Sequence, residues 1–128
     1  MVRHLLAAGF SVLALTSMAS AQDAAAGKAT FRQCMACHVV DQEQNRVGPH
    51  LVGIVGRPVA SIEGFNYSDA MRAYSEDGAK VWDEETLATY LADPRGVVQG
   101  TRMAFAGVKD EAALANLIAY LTDPSAAE

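Results

Sequence analysis

Cysteine is almost missing from this chain: two in 128 residues, both within one pentapeptide, Cys34-Met35-Ala36-Cys37-His38. Histidine is nearly as scarce, with only His4 and His50 besides His38. That poverty leaves a zinc site without its third and fourth ligands at suitable spacing. A thioredoxin-like pair needs a βαβ pattern, and no strand alternation rises above noise. Cations are also short, at 10 Lys+Arg against 15 Asp+Glu, a formal charge of −5. A domain this acidic is a poor binder of nucleic acid through its phosphates. No apolar run is long enough for a comfortable membrane span, and no Gly/Ser linker, repeat or low-complexity tract divides the chain.

What is present is the spacing Cys-x-x-Cys-His, which reads as a c-type haem attachment site. Two thiols three positions apart each form a thioether to one vinyl group of the same haem. His38 is then placed to bind the iron from one face. A plain disulfide or a chance match is the bland alternative.

Residues 1–21 read as a secretory signal peptide. Arg3 supplies the positive start, Leu5 to Leu15 the apolar stretch and Ala19-Ser20-Ala21 a small-residue cleavage site. The apolar stretch is short for a membrane span, and an uncleaved anchor is the alternative. Export agrees with haem attachment, which bacteria carry out beyond the inner membrane. Residues 22–128 then form one small domain, with no stable membrane insertion after cleavage. Loss of Arg3 takes its formal charge from −5 to −6.

The periodicity predicts an all-α class. A first helix is expected over Asp23–Cys37, with Gly27, Phe31 and Cys34 on one face. A short one follows over Ser68–Tyr74, capped by Ser68. A third opens at Asp83-Glu84-Glu85, acids at the positive end of its dipole, and stops before Pro94. The last runs from Asp110 to Leu121 with Leu114, Leu117, Ile118 and Leu121 as its apolar stripe. His38–Asn66 and Asp93–Lys109 show no periodicity, and the tail from Ser125 reads as frayed. Structureless stretches that long signal function or a missed constraint. A haem disc acting as core resolves the difficulty.

For the iron's sixth position the candidates are His50, Met35, Met71 and Met103. Met35 sits inside the attachment pentapeptide and Met71 on a short helix, where packing is its expected task. Met103 lies between Gly100 and Gly107 in a loop free to turn toward the ring. A lone Met is normally a gap-filler, but His/Met ligation raises the potential and suits electron transfer. Met103 is therefore the expected ligand, with His50 and an open site as alternatives.

Several further motifs occur in order: Gly48-Pro49-His50-Leu51, Val55-Gly56-Arg57, Gly64-Phe65-Asn66-Tyr67-Ser68-Asp69-Ala70, Trp82, Tyr90-Leu91, Asp93-Pro94, the Met103 loop and Leu117-Ile118-Ala119-Tyr120-Leu121. With them the chain resembles the class I cytochromes c, near mitochondrial cytochrome c and the alphaproteobacterial cytochromes c2, over Ala26 to Leu121. The resemblance implies the small cytochrome c fold, helices and long loops around one covalent haem c, with the terminal helices crossing near Gly27, Phe31, Leu117 and Tyr120. It implies that Pro49 offers its carbonyl to His38, that Arg57, Tyr67, Trp82 and Thr101 hold the propionates, and that Tyr90 donates to the sulfur of Met103.

Two departures stand out. His50 replaces the usual Asn of the Gly-Pro-Asn-Leu turn, and is expected to be a bystander. Gln33 and Asp110 replace lysines of the family's docking ring, leaving Lys28, Arg32, Arg46, Arg95, Arg102 and Lys109. The expected function is a periplasmic, monomeric one-electron carrier, not an enzyme. Its donor would be a cytochrome bc complex or a dehydrogenase, and its acceptor a terminal oxidase or photosynthetic reaction centre. A haem peroxidase or ligand-sensing cytochrome with an open iron is the alternative reading. A third makes the domain an electron-entry subunit bound stably to a larger enzyme.

Overall fold

A computed structural model describes residues 22–128; the expected signal peptide, 1–21, lies outside the described residues. The order is α1 (Ala24–Phe31), α2 (Asp69–Tyr74), α3 (Glu84–Ala92), α4 (Pro94–Val97) and α5 (Glu111–Thr122), followed by a 3₁₀ turn at Pro124–Ala127. No strand occurs among the described residues, only an isolated bridge between Pro58 and Val81. The fold class is all-α.

Local chemistry starts each helix. Asp23, Ser68, Asp83, Asp93 and Asp110 stand at the N-caps, each side chain accepting a backbone N–H of the first turn. α1 and α5 then cross at a point that only glycine allows. A Cβ on Gly27 would run into the Asn116 carbonyl and come within 2.8 Å of Tyr120 Cβ. The bare backbone lets Phe31 meet Tyr120 with ring centroids 5.3 Å apart. Leu117, 1 % exposed, is sealed among the core side chains. Asn116 Oδ1 accepts the Asp23 N–H at 2.9 Å, tying the start of α1 to the middle of α5.

Three expectations need correction. The first helix ends at Phe31 rather than Cys37. From Arg32 the bonds shorten to i→i−3, as in Cys34 N–H to Phe31 O at 2.8 Å, and the chain winds through tighter turns to His38. The Asp93–Lys109 stretch contains α4, started by the Asp93 cap and by Pro94, whose ring presets the helical φ. The tail is ordered as a 3₁₀ turn, capped by Asp123 and with Ala127 packed against the core.

Candidate haem site

The attachment turn is closed by its own backbone. Cys37 N–H and His38 N–H both bond the Cys34 carbonyl, at 3.1 and 2.9 Å. Both cysteines are free and half-buried. Burial raises the Cys34 thiol above its ordinary value, and the neighbouring Cys37 adds to this.

His38 is held from behind. Its Nδ1 lies 2.7 Å from the Pro49 carbonyl. A carbonyl has no proton to give, so Nδ1 must donate, which leaves the Nε2 lone pair for a metal. Burial lowers the imidazole's affinity for a proton, partly opposed by the Pro49 bond and helped by the Arg57 charge. The segment carrying Pro49 is pinned to the attachment turn by Gly48 N–H to Cys37 O (2.9 Å) and Leu51 N–H to Val39 O (2.8 Å). Gly48 itself lies flat against the ring, since a Cβ there would collide with His38.

Met103 comes from the far end of the chain. From Thr101 to Gly107 alternate residues turn inward: Thr101, Met103, Phe105 and Gly107 are half-buried, while Arg102, Ala104 and Ala106 are exposed. Positive φ values at Gly100 (92°) and Gly107 (104°) bound the stretch. The Tyr90 hydroxyl donates to Met103 Sδ at 3.7 Å, and Thr101 Oγ1 accepts the Met103 N–H at 3.2 Å. Burial pushes the Tyr90 phenol up, keeping it a donor. Arg102 straps the loop to the Asn66 carbonyl at 2.7 Å. Lys109 closes it on the Ala92 carbonyl at 2.7 Å.

The remaining expected residues lie on other loops. Tyr67 Oη accepts the Ile62 N–H at 3.1 Å, leaving its own proton to donate. Trp82 is buried and packs on Tyr90 at 4.9 Å. Its backbone N–H bonds the Arg57 carbonyl at 2.9 Å. Arg57 Nη1 donates to the Val52 carbonyl at 3.1 Å. Arg57 Nε is buried without any partner, alone among side-chain polar atoms of the described residues. An orphaned guanidinium N–H calls for an acceptor, and a carboxylate suits it best. Two thiols, an imidazole with a free lone pair, a thioether and an unsatisfied arginine fit a haem with its propionates. Among the described residues no cluster of three His, Cys, Asp or Glu could hold a metal by itself.

His50 makes its contacts with neighbouring loop residues. It is 8 % exposed, its N–H donates to Asn45 Oδ1 at 3.0 Å, and its Nδ1 accepts from Val52 N–H at 3.3 Å. Met71, on α2, packs against the core cluster. Sequence reasoning missed the Gly48 contact with His38 and the Arg102 strap. The inward–outward alternation over 101–107 belongs to a short extended segment with no partner strand and shows only in the burial.

No family model matches the chain. Cytochrome c2 of Blastochloris viridis is 43 % identical over 121 residues, covering 94 % of this chain and 92 % of that protein. Cytochrome c-550 of Ancylobacter novellus is 48 % identical over 98 residues, covering 76 % and 91 %. Among solved structures, cytochrome c2 from Rhodospirillum centenum superposes with a TM-score of 0.71 at 35 % identity, over 77 % of this chain and 95 % of that one. Cytochrome cH from Methylobacterium extorquens gives 0.69 at 41 %, over 77 % and 96 %.

Proposed function

The chain belongs to the class I cytochromes c, with cytochromes c2 and c-550 among its relatives, and from that premise we propose that it is a periplasmic one-electron carrier with a His38/Met103-ligated haem. It is an electron-transfer protein and not an enzyme. One haem c is covalently bound, through Cys34 and Cys37, and supplies the ferric/ferrous couple. Everything else is the work of the chain.

The observation that carries this reading is the outer hold on both ligands. Pro49 fixes the His38 tautomer at 2.7 Å, and Tyr90 donates to Met103 Sδ at 3.7 Å. Side chains held in this way would keep their positions on gain or loss of one electron by a bound haem, the chemistry that group would supply. Arg57, Tyr67, Trp82 and Thr101 are assigned to the propionates, which need donors and a counter-charge when buried. Potentiometric titration of the purified holoprotein should give a single reversible one-electron step. A ferrous form that binds carbon monoxide readily at neutral pH would instead support the open-site alternative.

Partner docking is assigned to the exposed haem edge near Cys34 and Phe105. Lys28, Arg32, Arg46, Arg95, Arg102 and Lys109 are all exposed. The ion pair found among the described residues is Lys80–Glu76, so none of these six is in a salt bridge there, while Arg102 and Lys109 also donate to backbone carbonyls. Exposed Met35 and Val47, the latter 78 % accessible, add apolar contact beside them. Small interfaces steered by charge suit brief electron-transfer encounters. The donor is a cytochrome bc complex or a dehydrogenase, and the acceptor an oxidase or photosynthetic reaction centre. Among the described residues no helix is long and apolar enough to cross a membrane. Mass spectrometry of the exported, monomeric protein should find a chain beginning at Gln22.

A further inference from the structure

His50 replaces an asparagine at a turn, and its contacts give that replacement a consequence. Asparagine in such a place accepts the N–H two residues on with its side-chain oxygen, forming an Asx turn. Here His50 Nδ1 accepts the Val52 N–H at 3.3 Å, so the imidazole imitates the amide. Val52 is held on its other side too, because its carbonyl accepts from Arg57 Nη1 at 3.1 Å. One residue thus links His50 to the arginine whose Nε is buried and unpartnered.

The two acceptors differ in one respect. An amide oxygen keeps its lone pairs at any ordinary pH, whereas an imidazole nitrogen loses its own when the ring takes a second proton. A proton on Nδ1 would face the Val52 N–H, donor against donor. The ring also borders a polar cavity of about 410 Å³, where Glu43 and Glu63 are the facing acids and Arg57 the facing cation.

We propose that His50 is a positioning residue for Arg57, holding it through Val52, and that protonation of His50 releases this hold and loosens the guanidinium from the haem carboxylate. The inference rests on the haem reading above. A cation close to the haem favours the ferrous state, so loosening Arg57 favours the ferric state. A mere nearby charge would act oppositely, because a protonated His50 would itself favour the ferrous state. The sign therefore separates the two roles.

The test is the midpoint potential of the holoprotein between about pH 8 and 5, for wild type, His50→Asn and His50→Leu, with amide hydrogen exchange at Val52. Wild type should become harder to reduce on acidification, its electron-exchange equilibrium moving two- to fivefold toward the ferric form. His50→Asn should match wild type at the alkaline end and lose that step. His50→Leu, which loses the hold without gaining a charge, should be flat with pH and at or below the acid-end value, with Val52 exchange about fivefold faster, equivalent to about 1 kcal/mol. A potential that rises on acidification, a flat wild-type profile, or a step that persists in His50→Asn each overturns the proposal. A covalent haem that titrates as one electron in all three proteins leaves the carrier reading standing in any of those cases.

Discussion

Replacing Gly27 by alanine tests the crossing on which the fold depends. The added Cβ would overlap the Asn116 carbonyl and stand 2.8 Å from Tyr120 Cβ, against an ordinary contact of 3.4–4 Å. The chief obstacle is backbone in the middle of a 12-residue helix, so no side chain can rotate away to relieve it. Overpacking costs about 1–3 kcal/mol, and an immovable neighbour puts this site at the upper end. Separating the helices also strains the 2.9 Å bond from Asp23 N–H to Asn116 Oδ1, worth about 1 kcal/mol. Alanine's higher helix propensity returns about 1 kcal/mol. The net loss is about 3 kcal/mol, a fall of roughly 12 °C in Tm for a domain of this size. The assay is thermal unfolding of the holoprotein followed at 222 nm, with Lys28→Ala as the exposed neighbour that should change stability by less than about 0.5 kcal/mol. If Gly27→Ala unfolds within a degree or two of wild type, the helices do not cross at this point as described.

Met103→Ala should abolish the ferric far-red charge-transfer band, lower the potential and admit small ligands, whereas Met71→Leu keeps the band; its loss in the Met71 variant instead would move the ligand. Asp83 accepts the Thr86 N–H at 2.7 Å, and that bond holds its carboxyl below the ordinary carboxylate range. Its contribution is therefore complete above the unfolded value, about pH 3.9, and lost as pH falls below it. Urea titrations at pH 3 and 6 should show Asp83→Asn losing less stability than wild type between them; equal losses would contradict the sign. Reversing Arg32 and Arg95 to Glu should slow association with an acidic redox partner and flatten its salt dependence while the potential stays put. Arg102 is a poorer choice because it also straps the ligand loop to Asn66. Stopped-flow rates that ignore both reversals would point to apolar docking.

Much of this molecule was legible without coordinates because its signals are local. The cap at Ser68, the helix starts at Asp83 and Asp110, the stop before Pro94 and the stripe on the last helix each depend on residues a few positions apart. The attachment motif is local too. The end of α1 was not readable, because its apolar face runs on to Cys34 while the backbone changes to i→i−3 bonding at Arg32. α4 was hidden because one turn is too short for periodicity and is built by Asp93 and Pro94 alone. Long-range grips such as Arg102 on Asn66, 36 residues away, leave no pattern in the chain. His50 was expected to be a bystander; its bond to Val52 is short-range, but histidine in place of asparagine at such a turn carries no familiar sequence signature.

An iron held at Cys34-x-x-Cys37-His38 would be closed by Met103. This closure is tested most directly by the absorption spectrum of the ferric protein together with the response of the ferrous protein to carbon monoxide. With Met103 bound, the ferric form shows the far-red methionine–iron band and the ferrous spectrum is unchanged under carbon monoxide at neutral pH. A missing band with prompt carbon monoxide binding would contradict it and leave an open iron in its place.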